Sequence, residues 1–132
     1  MLSSVPTSNT VIVADLEAGI GTLTRLPAAS VDSTLVIVEP TPRSIDVGTR
    51  AVLVAAERQQ GNIIVVANKV ANDEDEARVR EAFEGRTVVC VPLDPVVVSA
   101  DRQGSAPIDV DGDAPAVEAI SELTELLAAL PN

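Results

Sequence analysis

Four apolar residues in a row, Val11 to Ala14, end in Asp15, and Glu17, Gly19 and Gly21 follow within the stretch VIVADLEAGIG. An apolar run closed by carboxylates and glycines reads as a buried strand feeding a tight loop. In an open α/β sheet, ligands sit beyond the carboxyl ends of the strands. Asp15 and Glu17 at such a tip could hold Mg²⁺, which prefers oxygen ligands and keeps much of its water. Gly19 would let backbone N–H groups approach a phosphate closely. Taken alone, the same stretch also reads as a solvated turn or a helix cap.

Three later stretches have the same form. STLVIVE runs from Ser33 and ends in Glu39-Pro40; NIIVVA runs from Asn62 and ends in Asn68-Lys69; TVVCVPL runs from Thr87 and ends in Asp94-Pro95. In a parallel sheet all four tips reach one edge. That edge combines carboxylates, a glycine-bearing loop and an amide beside a lysine. An asparagine offers a donor and an acceptor together, the pattern that complements adenine. The ensemble suggests a nucleotide site.

The elements that must position these tips follow from the pattern between them. Thr10–Asp15, Ser33–Glu39, Asn62–Ala67 and Thr87–Leu93 are expected as strands. Helices are expected from Glu17 to Leu26, and from Ser44 as N-cap to about Gln60, with Gly61 as stop. A third helix packs Val79, Ala82 and Phe83 and stops at Gly85. Val96 to Val110 reads as irregular, with at most a short helical turn at Val97 to Asp101. The last helix has Asp113 as cap and a stripe of Ala116, Ile120, Leu123, Leu127 and Leu130, whose expected role is core packing. Strands alternating with helices predict an α/β fold: three layers, a mostly parallel sheet of about four strands, and helices on both faces. Residues 1–9 read as a flexible N-terminal tail, and 10–130 as a single domain.

Composition narrows the function classes. The chain has 132 residues, 46% of them hydrophobic, enough for one domain with a core. A net charge of −11 with no His disfavours nucleic-acid backbones and anionic membranes as partners. A single Phe and no Trp or Tyr disfavour stacking of nucleic-acid bases. The lone Cys90 rules out an intramolecular disulfide and, lying in an apolar run, reads as a structural thiol. No stretch approaches the roughly 18 apolar residues of a membrane span. The N-terminus lacks the basic and apolar regions of a signal peptide, so the cytoplasm is the default compartment.

The segments VIVADLEAGIGTLTRLP, VIVEPTPRSIDVGTRA, VVANKV and VPLDPVVVSADRQGSAPID resemble four successive parts of the MinD/ParA-type P-loop ATPases. The likeness is greatest to the CooC branch, the maturation ATPases of nickel carbon monoxide dehydrogenase, through D-x-E-A-G-I and E-P-x-x-x-S-I. It covers about Thr10 to Leu130. The resemblance implies ATP and Mg²⁺ as ligands. Asp15 would be the switch II aspartate that holds Mg²⁺ through water, with Glu17 nearby. Gly19 would lie near the γ-phosphate. Asn68 would read adenine with Lys69 beside it, and Pro92, Leu93 and Asp94 would line the base pocket. The resemblance assigns no catalytic step to a residue of this chain.

The departures shape the expected function. The Gly-rich Lys-Thr or Lys-Ser loop that opens these ATPases is not among the 132 residues, and Lys69 is the only lysine. That loop cradles the phosphates and neutralises their charge. The C-x-C pair of CooC dimers is absent too. The chain is therefore expected to be a nucleotide-binding-type domain without its P-loop that does not hydrolyse ATP by itself. The alternative is an interaction or regulatory protein that keeps only the fold. A phosphoacceptor receiver domain fits worse, because Asn68-Lys69 stands where the acceptor aspartate is expected. In the family the P-loop strand lies beside the switch II strand. Its loss would leave Thr10–Asp15 paired directly with Ser33–Glu39, or would leave two unpaired edges. A homo-oligomer, or a protein partner that supplies the missing strand, is the expected assembly.

Overall fold

A computed structural model describes residues 10–16 and 20–131. The elements run α1 (Ile20–Arg25), β1 (Ser33–Val38), α2 (Pro42–Glu57), β2 (Asn62–Val70), α3 (Asp73–Ala82), β3 (Thr87–Pro92), α4 (Pro95–Gln103), α5 (Pro107–Val110) and α6 (Pro115–Ala129). The three strands form one parallel sheet in the order β1-β2-β3. The expected 1–9 tail lies outside the described residues.

Strand β2 takes its place because its alternate residues meet different helices, and its neighbours align with it. Val36 and Val38 of β1 and Val65, Ala67 and Val70 of β2 pack with Val52 of α2 and with Val79 and Phe83 of α3 and its C-cap. On the opposite face, Ile64 and Val66 of β2 and Val91 of β3 pack with Ala116, Ala119 and Leu123 of α6. The result is three layers, α2/α3 over the sheet over α6, as the α/β pattern predicts. Helix α1 packs on α2.

The sheet has three strands where about four were expected. Thr10 to Leu16 carries no regular structure, and Val11 and Val13 stand 90% and 87% exposed. A run of apolar residues shows that a segment can be a strand, but a ladder also needs a neighbour. The pairing of Thr10–Asp15 with β1 does not form. Strand β1 also departs from the expectation of cover on both faces. Val36 and Val38 are buried, whereas Leu35 and Ile37 are exposed. Their in-register neighbours are Ile64 and Val66, so they share the α6 face. Helix α6 covers β2 and β3 there and leaves β1 open.

Helix ends correct three further expectations. Thr41, not Ser44, is the N-cap of α2, accepting from the Ser44 N–H, and Pro42 fits the first turn. The Ser44 hydroxyl instead accepts from the Glu39 N–H at 2.9 Å and ties the β1 tip to α2. The 96–110 region is more ordered than its text suggests, forming α4 and α5, with Gly104 as a left-handed C-cap. In α6 the expected stripe is rotated: Ala116, Val117, Ala119 and Leu123 are buried, and Ile120 is 48% exposed.

Two close approaches fix the α2 side. Gln60 is fully buried and holds the loop before β1: its Oε1 accepts from the Ser30 N–H (3.2 Å) and hydroxyl (2.9 Å), and its Nε2 donates to the Pro27 carbonyl (2.6 Å). Gly48 lets α2 lie against β1, because a Cβ there would overlap the Val38 side chain and crowd Phe83. Glycine inside a helix ordinarily costs about 1 kcal/mol relative to alanine. The overlap with Val38 reverses that sign, since overpacking a tight core costs about 1–3 kcal/mol. Gly48→Ala is expected to destabilise the fold by up to about 2 kcal/mol net in urea denaturation. A stabilised Gly48→Ala would show that α2 can move off β1 at no cost.

Candidate functional site

The parallel register brings the carboxyl ends of β1, β2 and β3 to one edge. Glu39-Pro40, Asn68-Lys69 and Pro92-Leu93-Asp94 stand there, as the spacing predicts. Ties between neighbouring elements hold the edge. Leu93 N–H donates to the Val70 carbonyl at 2.8 Å, and Arg78 from α3 donates to the Pro40 carbonyl at 3.1 Å.

The β2 tip is irregular in a way that exposes its polar residues. The β2–β3 register slips between Ala67 and Val70, so three steps on β2 match two on β3. Lys69 absorbs the extra residue with φ at 58°, a left-handed conformation that costs a lysine of order 1 kcal/mol. Asn68 is half-buried, and its Oδ1 accepts from the Lys69 N–H at 3.0 Å. Its amide NH₂ has no protein partner among the described residues. Lys69 Nζ lies 2.6 Å from Glu39 Oε1, and both side chains are largely exposed. Such a pair contributes under about 1 kcal/mol to stability. It does, however, commit the only lysine to a carboxylate.

Asp94 is 7% exposed, and both of its oxygens are engaged. Oδ1 accepts from the Val96 N–H at 2.9 Å, capping α4. Oδ2 accepts from the Ala116 N–H at 3.0 Å, in the first turn of α6. The expected α6 cap is Asp113; the cap comes instead from Asp94, 22 positions before Ala116. One carboxylate thus serves two helix N-termini, where a negative charge is favoured. Pro92 is half-buried beside it, and Leu93 is 57% exposed. Val97, Val98 and Ile108 add exposed apolar surface on α4 and α5, which sequence reasoning missed because it left 96–110 irregular.

The tips therefore bring together Glu39, Asn68, Lys69, Pro92, Leu93 and Asp94. They do not bring in Asp15, which is exposed on the unpaired 10–16 segment. Glu17 and Gly19 lie outside the described residues. Among the described residues no three His, Cys, Asp or Glu side chains gather as metal ligands. Asp15 is the one expected Mg²⁺ ligand among the described residues, and no step is derived through the metal. Two clefts lie elsewhere. A small cavity of about 110 Å³ sits at the opposite end of β2 and β3, near Asn62, Thr87 and Leu130. A groove of about 430 Å³ runs along β3 between α3 and α6, near Arg80, Cys90 and Glu122. Among the described residues no helix is long and apolar enough to cross a membrane.

Known proteins share this architecture. No protein-family model matches the chain. Two proteins of Methanocaldococcus jannaschii, both named uncharacterized ATP-binding proteins, are similar to it. One is 31% identical over 107 residues, 79% of this chain and 41% of that protein. The other is 28% identical over 120 residues, 89% of this chain and 46% of that protein. Among solved structures, the MinD cell division protein of Aquifex aeolicus superposes with a TM-score of 0.61 at 21% identity, covering 79% of this chain and 47% of that one. The chain has a MinD-like α/β fold, and it spans less than half the length of each of these proteins.

Asp94→Ala removes a buried acceptor from two amides and is expected to cost about 2–4 kcal/mol in denaturant unfolding. Asp94→Asn keeps one oxygen acceptor and should cost clearly less; equal losses would refute the double cap. At the β3 groove, burial pushes the Cys90 thiol up, against the pull of the Arg80 cation. A raised pKa means less thiolate at neutral pH. Iodoacetamide should therefore alkylate Cys90 more slowly than a small free thiol, with the rate rising only at higher pH. Unfolding the chain should abolish the difference.

Proposed function

We propose that this chain is a nucleotide-binding domain of the MinD type, whose strand-tip edge meets the adenine end of ATP and which does not hydrolyse ATP alone. The observation that carries the reading is the similarity to two proteins named for ATP binding, across 79% and 89% of this chain. The tip geometry supports it. Asn68 keeps a donor pair and one oxygen lone pair available at the edge, and Pro92 and Leu93 give an apolar surface beside it.

The phosphate end has little support from these residues. Lys69 is paired with Glu39, and the sequence contains no Gly-rich Lys-Thr loop. A triphosphate would meet a net charge of −11 without a cradle to offset it. The absence of hydrolysis by the chain alone belongs to the proposal for that reason. The finer placement in the CooC branch rests on the D-x-E-A-G-I and E-P-x-x-x-S-I segments. Mg²⁺ would enter with the nucleotide, held mainly by phosphate and water oxygens, with Asp15 as the one protein carboxylate the resemblance assigns to it.

A second reading, a protein that retains the fold and works by contact, is favoured by one observation. The Asp94 carboxylate assigned to the base pocket is spent on two helix caps.

Calorimetry with ATP and Mg²⁺ separates the two. Weak binding, with a Kd of about 0.1–1 mM, is expected from a half-site. Asn68→Ala should weaken it about 5- to 10-fold, the worth of one hydrogen bond. GTP should bind worse than ATP. No heat of binding at millimolar ATP would overturn the nucleotide reading in favour of the second, and an Asn68→Ala variant that binds as well as the parent would overturn the placement of adenine at Asn68.

A further inference from the structure

The two edges of the sheet differ. The β3 edge is guarded: Arg80 of α3 donates from Nη1 to the Val88 carbonyl at 3.3 Å, while its Nε is held by Glu76 Oε1 at 2.7 Å. A charge placed on an edge strand is a recognised block to pairing with another chain. The β1 edge has no such guard. Among the described residues, no side chain or loop from outside the sheet bonds the backbone of residues 35–38. Leu35 is 38% and Ile37 56% exposed on the face that α6 leaves bare.

The same chain carries a second unsatisfied element. Thr10 to Ala14, TVIVA, has four β-branched residues, no charge and no glycine or proline. These are the residue types that favour strands. Yet the segment has no regular structure, and Val11 and Val13 are almost fully exposed. Within one chain the segment and the open edge do not meet.

We infer that two copies of this chain pair reciprocally, the 10–14 segment of each adding a strand to the open β1 edge of the other. Five residues suffice to lie along the six of β1. Reciprocal exchange closes as a two-fold dimer and leaves neither element exposed, so it does not propagate into fibres. Val11, Ile12, Val13, Leu35 and Ile37 on both copies lose apolar exposure in the exchange, which supplies its driving force. Both contacting segments are uncharged, and the −11 charge of each copy lies elsewhere. The residual repulsion is long-range and screened by salt, so dimerisation strengthens as ionic strength rises.

Sedimentation equilibrium on the purified chain tests this, at concentrations up to about 100 µM and at low and high NaCl. The wild type should be a dimer that salt tightens. The Val11→Asp/Val13→Asp variant should raise the dimer dissociation constant at least about 100-fold. Ile37→Lys should do the same by placing a charge on the edge. Far-UV circular dichroism should match the wild type for both. Val11 and Val13 are 90% and 87% exposed, so the donor variant remains decisive even if Ile37→Lys fails to fold. Mixing the two variants should restore a weaker dimer held by one exchanged strand. A wild type that stays monomeric at all salts overturns the inference. So does a dimer that survives the donor variant, because another element would then occupy the edge. None of these outcomes depends on nucleotide binding.

Discussion

Strand β2 carries both cores on alternate residues, and everything else is placed by that fact. Ile63, Val65 and Ala67 face α2 and α3, while Ile64 and Val66 face α6. Residues 64–67 are all buried, so a one-residue slip would exchange the two sets and mismatch both helix layers. The register with β1 and β3 is correspondingly uninterrupted until Ala67. The slip that does occur is deferred to Asn68-Lys69, past the last β2 residues that face α6, and it returns Val70 to the α2/α3 core. The residues with polar chemistry stand at the one place on β2 where irregular backbone is tolerated, and Lys69 takes the left-handed turn there.

Beyond that tip, Asp94 joins the sheet to two helices that would otherwise be separate. Neither α5 nor α6 has a side-chain cap at its own N-cap residue. The α6 terminus is instead held by a carboxylate on the residue after β3. A buried charge is costly to desolvate, and two amide donors near helix N-termini are what makes it tolerable. The same bonds limit what Asp94 can offer a ligand. An oxygen that already holds a buried amide gives up that bond only at a cost comparable to what a new hydrogen bond returns. The site at this edge therefore rests on Asn68 and on the apolar Pro92-Leu93 surface more than on the acidic group that its position in the sequence suggested.

Most of the layer architecture was legible. The three continuous apolar runs that became strands and the acidic first turn of α3 each act through local chemistry that sequence displays, whereas α2 stops at Glu57 with Gln59 left-handed, and Gly61 is required instead by its close approach to the Asp32 backbone. What was not legible depended on partners far along the chain. Asp113 sits at the right offset to cap α6, and no local rule reveals that Asp94 reaches it first. Helices α4 and α5 were hidden by Gly104 and by polar text, although Asp94-Pro95 is a cap and first-turn signature. The Thr10–Asp15 run has the composition of a strand and lacks only a neighbour, which composition cannot report. Of the proposed site residues, the tips of β2 and β3 came together because a parallel sheet requires it. Asp15 did not, because its segment is outside the sheet.

The treatment of the two edges bears on what kind of unit this chain is. An α/β sheet that ends in solvent needs a defended strand at each side, since bare N–H and C=O groups beside apolar side chains recruit further strands. Arg80 supplies that defence at β3, at the expense of fixing a long side chain between Glu76 and a main-chain carbonyl. Among the described residues nothing comparable stands at β1, and α6 is set to one side so that Leu35 and Ile37 remain open. The proteins that share this fold are more than twice as long as the part matched here. An edge left bare on one side and guarded on the other leaves the bare side able to accept a further strand. Among the described residues of one copy, strand β1 has no neighbour on that side. The apolar 10–14 segment is the part of this chain chemically suited to be that neighbour.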